Sequence, residues 1–330
     1  MDIRPFGKTG RHVGEIGLGT WQLGANWGDV SEADALATMQ AAYDGGVTFF
    51  DTADVYGAGR SESRIGKFLA ETDGAEDAIF VATKLGRGSE PGWPDNFTRE
   101  AVRQHTEDSL ERLGVDALDL TQLHCVPTDV LKAGELFGWL DELKAEGKLK
   151  AYGASVESME EALFCLEDGR CASLQIIFNV LRQKPITTLF DQAQAAGVAL
   201  IVRLPLASGL LGGKMSKYTT FAADDHRNFN RDGQAFNVGE TFSGLPFETG
   251  LEIIEELRPL VPDGLTMAEF ALRWCLDHEA VSVLIPGARN PDQVQGNLHA
   301  AALPPLGPEL HAKLAQFYAD HVAAHIRGPY

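Results

Sequence analysis

The 330-residue sequence predicts one closed parallel (β/α)8 TIM barrel, an α/β fold, preceded by a β-hairpin and followed by an extra helix. Three observations carry this. Apolar, strand-like runs alternate with helical segments from Glu15 onward, and the alternation repeats eight times. Most of these runs are continuously apolar, as strands covered on both faces must be. No proline- or serine-rich linker and no charge block interrupts the pattern, so residues 1–330 read as a single domain of a size that such barrels reach.

The elements follow in order. Gly7-Lys8-Thr9-Gly10 lies between short apolar pieces of Ile3 to Val13 and suggests the hairpin. Glu15 to Thr20 is the first barrel strand. Its glycines nearly form a dinucleotide fingerprint, but Gly24, Asn26 and Gly28 stand where a helix should open, so that motif is rejected. Ser31-Glu32-Ala33-Asp34 reads as a capping box for a helix with Leu36, Met39 and Tyr43 on one face. Strands then end at Asp51, Lys84, His124, Ser155, Asn179, Pro205 and Ala288. Helices are expected from Ser61 to Ala70, from Thr98 to Leu113 and from Glu135 to Glu146. The segment Lys214–Phe247, rich in Asp, Asn and Gly, is too long for a passive connection and reads as a lid or binding loop. A last helix covers Pro308 to Ala324.

Composition narrows the function. Lys+Arg 28 against Asp+Glu 47 gives a net charge of −19, which argues against nucleic acid or an anionic membrane as partner. An anionic cofactor is still admissible, since a few local cations and backbone N–H groups bind phosphate. No apolar run approaches membrane-spanning length, and the N-terminus lacks an apolar signal core, so a cytoplasmic location is expected. Cys125, Cys165, Cys171 and Cys275 are scattered without metal-type spacing and read as buried thiols. His321 and His325 lie four apart on the last helix and read as a polar face rather than a metal site. Nothing fixes the oligomeric state.

Active-site groups of such barrels sit at the carboxyl ends of strands. Asp51, Lys84 and His124 end three successive strands, and Tyr56 lies just beyond Asp51 in a loop closed by Gly57 and Gly59. A carboxylate can hold a cation, and the cation can lower a phenol's pKa until it donates a proton near neutrality. Cys125 should point away from His124, because neighbours in a strand face opposite sides. Trp21, Trp27 and Trp93 are candidates for an apolar pocket.

Several segments together resemble the aldo-keto reductase family over nearly the whole chain. They are Gly17-Leu18-Gly19-Thr20-Trp21, Phe50-Asp51-Thr52-Ala53-Asp54-Val55-Tyr56-Gly57, Val81-Ala82-Thr83-Lys84 and Gln122-Leu123-His124. Gln175 with Asn179, Pro205-Leu206-Ala207-Ser208-Gly209-Leu210-Leu211 and Ile285-Pro286-Gly287-Ala288-Arg289 complete the set. The resemblance implies a nicotinamide cofactor bound in extended form and reduction of a small-molecule aldehyde or ketone. It implies Tyr56 as proton donor, Lys84 as the cation that lowers its pKa, Asp51 as the partner of Lys84, and His124 as the residue that positions the carbonyl.

For the cofactor, the resemblance implies carboxamide contacts from Ser155 and Gln175, with Phe178 in the place of the aromatic that stacks on the nicotinamide. Pro205, Leu206, Ser208, Gly209, Leu210 and Lys214 would wrap the pyrophosphate. Gly19, Thr20, Trp21, Asp51 and Arg203 would contribute further contacts. At the far end stand Gly287, Ala288, Arg289, Gln293 and Asn297, with Asn290-Pro291 opening the helix. Arg289 at a helix N-terminus suits a 2′-phosphate, so NADP(H) is the expected cofactor, with NAD(H) also admissible. Val156 and Gly296 depart from the family's usual Asn and Glu. The alternative function is a non-catalytic or slow redox-sensing regulatory subunit that keeps the cofactor site, as the family's potassium-channel-associated members do.

Overall fold

The computed structural model describes residues 1–24, 30–88 and 92–330. Strands β1 (Ile3–Pro5) and β2 (His12–Gly14) form the expected antiparallel hairpin. The barrel consists of β3 (Leu18–Gly19), β4 (Phe49–Asp51), β5 (Phe80–Leu85), β6 (Leu120–His124), β7 (Tyr152–Ser155), β8 (Ser173–Ile177), β9 (Ala199–Arg203) and β10 (Val281–Leu284). Each strand pairs in parallel with the next, and parallel bridges Ile16–Leu284 and Gly19–Gly287 bring the last strand back to the first. Closure demands glycine at position 19, where a Cβ would come within 2.7 Å of the Ile285 carbonyl oxygen. The barrel is therefore the eight-stranded parallel fold that the alternation predicts.

The hairpin plugs the amino-terminal end. The Phe6 ring is fully buried 5.3 Å from the ring of Phe49 and 5.0 Å from that of Phe80, above Leu120, Ile201 and Val283. Burying such a ring is worth roughly 2–3 kcal/mol, so this end serves stability. The opposite end is left to loops.

Helices wrap the outside with one apolar face each. Arg60–Glu71 buries Ile65, Phe68 and Leu69. Arg99–Leu113 is capped by the Thr98 side chain, which accepts from the Ala101 N–H, and ends on Gly114 at φ 69°. Ser31 accepts from the Asp34 N–H and caps the helix Glu32–Asp44, but the Asp34 carboxylate takes the Ser31 hydroxyl rather than its backbone N–H, so the reciprocal half of the expected box does not form. The helix Pro308–Phe317 packs Leu314 and Phe317 inward. The later strands stop short of their expected ends, at Ile177, Arg203 and Leu284. The residues beyond them turn instead, Leu204 at φ 53°.

Candidate active site

Four of the predicted groups meet at the carboxyl end of the barrel. Lys84 is fully buried and its Nζ donates to Asp51 Oδ2 at 2.6 Å, to the Thr52 carbonyl at 2.8 Å and to the Tyr56 hydroxyl at 3.3 Å. The other Asp51 oxygen accepts from Gln175 Nε2 at 2.7 Å. Tyr56 and His124 meet edge to face, with ring centroids 6.2 Å apart. Strand register explains the convergence, because β4, β5 and β6 are neighbours, with Asp51 and His124 ending β4 and β6 and Lys84 one residue before the end of β5.

Electrostatics follows from burial and from these partners. Burial works against the Lys84 charge, but Asp51 and Tyr56 together outweigh it and hold its pKa above that of a free lysine. Burial raises the Tyr56 pKa and Lys84 pulls it down, and the net shift is upward. Lys84 thus acts in the expected direction without prevailing over desolvation. The His124 pKa is well below the usual range, first through burial and then through Arg87, Lys84 and Arg203, so its imidazole is neutral at neutral pH.

A cavity of about 810 Å³ opens beside this cluster. Its walls include Gly19, Thr20, Trp21, Asp51, Tyr56, His124, Gln175, Arg203, Pro205, Leu206, Ser208 and Gly209, and at the far end Lys214, Gly287, Arg289, Gln293 and Asn297. Leu204, Ala207 and Ser208 have φ of 53°, 48° and 55°, left-handed conformations costly for non-glycine residues. Such strain gathers where backbone is shaped for a ligand. Asn290 caps its helix as expected, its side chain accepting from the Gln293 N–H at 3.0 Å.

Some expected positions lie elsewhere. Phe178 does not reach the cavity: its ring is fully buried in the helical layer, 4.9 Å from both Phe190 and Trp274. Gln175 points into the mouth, so Ile176 and Phe178, on the alternate face, point outward. Planar groups that do line the cavity include Trp21, Tyr56, His124, Phe236 and the Arg203 guanidinium. Ser155, Leu210 and Ala288 are also absent from the wall among the described residues, and all three are buried. Cys125, by contrast, does line the cavity. It follows the end of β6 at φ 52°, so strand alternation no longer governs it. Burial pushes its thiol up to about 12, which leaves it inert as a nucleophile.

Of the three tryptophans, Trp21 stacks on Tyr56 with centroids 5.8 Å apart. Trp93 is 46% exposed, lies under the Arg87 guanidinium and donates to the Cys125 carbonyl at 3.1 Å. Trp27 lies outside the described residues.

The long loop supplies wall residues that sequence reasoning missed: Arg227, Phe236 and Glu240. Glu240 Oε1 stands 2.6 Å from Arg203 Nη1. Ser208 Oγ donates to the Glu240 carbonyl and accepts from the Phe242 N–H, tying the loop to the left-handed run. Side chains pin the loop's turns. Asp225 accepts from the Arg227 N–H, Asn230 from the Ala235 and Phe236 N–H groups, and Asn237 from the Gly239 N–H. Asp232 pairs with Arg327 at 2.7 Å. Arg87 and Asp292 also line the cavity. No sequence signal marked them: Arg87 lies in a bend after β5 and Asp292 in the first turn of the helix Pro291–Ala302, and only the fold reveals that both face the cavity.

Comparison with known proteins agrees with this architecture. The Aldo/keto reductase family profile matches residues 15–319. The chain is 30% identical over 303 residues to the aldo-keto reductase YhdN of Bacillus subtilis, a match covering 89% of this chain and 87% of that one. It is 29% identical to a probable voltage-gated potassium channel subunit beta of Arabidopsis thaliana, over 93% of both chains. The solved structure of the glycerol dehydrogenase AKR11B4 from Gluconobacter oxydans superposes with a TM-score of 0.80 at 29% identity, covering 100% of this chain and 98% of that one. A strand-end cluster in a closed parallel barrel, matched along the chain by profile, relatives and structure, places this protein in the aldo/keto reductase family of NAD(P)H-dependent oxidoreductases.

Proposed function

We propose that the protein reduces an aldehyde or ketone to the alcohol, with Tyr56 as proton donor and NADPH as the preferred reductant. The observation that carries this reading is the Lys84 ammonium held between Asp51 and the Tyr56 hydroxyl, at 2.6 and 3.3 Å. The phenol keeps its proton at neutral pH, the form that a donor needs, and is still a far stronger acid than the alcohol it would make. Lys84 stabilises the phenolate left behind, and Asp51 fixes Lys84. The neutral His124 imidazole suits a hydrogen bond to the carbonyl oxygen without competing for the proton.

The residues present fit a dinucleotide. The left-handed run through Ser208 and Gly209 brings backbone to the cavity, Lys214 and Arg289 supply cations, and the buried Arg203 Nε has no hydrogen-bond partner among the described residues. When bound, the nicotinamide supplies the hydride. Arg289 supports a 2′-phosphate at the far end, with Asp292 opposing it. Consumption of NADPH with a simple aromatic aldehyde is the test. Tight cofactor binding with no turnover across a carbonyl panel would instead support the regulatory-subunit reading that the channel-subunit likeness suggests.

A further inference from the structure

Arg203 ends β9, and its side chain runs sideways across the barrel mouth. Its Nη2 donates to the Val156 carbonyl at 2.8 Å and lies 3.9 Å from Cys125 Sγ, so the guanidinium reaches across to the residue that follows Ser155 at the end of β7. It is 8% exposed. Its Nη1 meets Glu240 at 2.6 Å as an ion pair without hydrogen-bond alignment, and its Nε makes no hydrogen bond among the described residues. Both charges reach the reacting groups: behind burial and nearer charges, Arg203 adds to the lowering of the His124 pKa and Glu240 to the raising of that of Tyr56.

We propose that the Arg203–Glu240 pair sets the relative affinity of this site for the oxidised and reduced forms of its nicotinamide cofactor. The proposal rests on the cofactor reading above. The two forms differ by a positive charge on the ring that reacts beside Tyr56 and His124. A fixed charge in the wall there changes the affinity for one form and barely touches the other. In a buried wall, an uncompensated unit charge a few ångströms away is worth roughly ten- to a hundredfold in affinity. With both partners present the charges largely cancel, and neither form is strongly disfavoured. Glu240 alone would attract the oxidised ring, and Arg203 alone would repel it.

The test is titration of the oxidised and reduced dinucleotide, in the same phosphate form, by calorimetry on the wild type and four variants. Arg203→Met should shift the affinity ratio toward the oxidised form by roughly tenfold or more, and Glu240→Gln should shift it as far toward the reduced form. The double variant should return close to the wild-type ratio, and Arg203→Lys, which keeps the charge, should stay near it. Circular dichroism identifies any variant that fails to fold, and the remaining variants then decide. Equal weakening of both forms in Arg203→Met and Glu240→Gln, with the ratio unmoved, overturns the proposal and leaves the cofactor reading intact. If neither form binds the wild type, the cofactor reading falls, and this proposal with it.

Discussion

Lys84 Nζ sits 3.3 Å from the Tyr56 hydroxyl and 4.9 Å from the centre of its ring, anchored from behind by Asp51. The phenol therefore feels a charge that cannot move away. Tyr56→Phe is expected to lower carbonyl reduction by a factor on the order of 10²–10⁴ with cofactor affinity nearly unchanged. Steady-state turnover together with a cofactor titration checks this, and near-normal turnover would remove Tyr56 as the donor.

Lys84→Met should do comparable damage by a different route. It leaves Asp51 buried without its cation, so the variant should also lose stability by about 3–5 kcal/mol. Thermal melts read beside the kinetics separate the two losses. A variant of unchanged stability would mean that Asp51 is satisfied by Gln175 and Gln122 alone.

The loop from Lys214 to Phe247 is expected to tighten when the cofactor binds, since Lys214, Arg227, Phe236 and Glu240 face the cavity. Hydrogen exchange of this segment should slow on the order of tenfold or more with saturating cofactor. Equal exchange in both states would make the loop a fixed wall.

Arg289 and Asp292 put opposite charges at the far end of the cavity. Arg289→Ala should weaken NADPH by about 1.5–3 kcal/mol, roughly ten- to a hundredfold, and leave NADH nearly unchanged. Asp292→Asn should tighten NADPH by roughly two- to fivefold. Fluorescence titration with both cofactors is the measurement. Parallel losses for the two cofactors in Arg289→Ala would make Arg289 a support for the loop.

His278 lies against Phe178, Phe190 and Trp274, and burial lowers its pKa to about 4. Its unfolded value is about 6.5. Between those values the unfolded chain binds the extra proton, so stability falls as pH drops from about 6.5 toward 4, by about 3 kcal/mol for this group. Glu62 and Glu157, whose pKa values are raised chiefly by burial, act in the opposite sense. Comparing His278→Leu with the wild type isolates the histidine: the variant should show a flatter decline of melting temperature on acidification. Identical slopes would mean that His278 takes up its proton as readily in the folded state as in the unfolded one.

Much of this molecule was legible in the sequence, for identifiable reasons. Asp51, Lys84 and His124 were readable because each ends an apolar run, and Tyr56 because glycines close its loop. Phe178 was misplaced because the resemblance put it at the stacking position, whereas alternation from the inward-pointing Gln175 turns its ring outward. Cys125 was misplaced by the opposite error, with alternation carried past the point where the backbone leaves the strand. Glu240 was unreadable. Its partner lies 37 positions earlier, across a loop whose course depends on Ser208 and on Asn179, which donates to Ser243 Oγ at 2.9 Å.

The four cysteines have a practical use. All are buried; burial pushes the thiols of Cys125 and Cys275 upward, and the hydrogen bond with Cys171 followed by burial does so for Cys165, so thiol reagents find few thiolates on the native molecule. Tyr218, by contrast, stands 79% exposed on the long loop. A Tyr218→Cys substitution would create a site that a maleimide dye labels selectively without first removing any native cysteine. A fluorophore there would make the loop's excursions visible one molecule at a time.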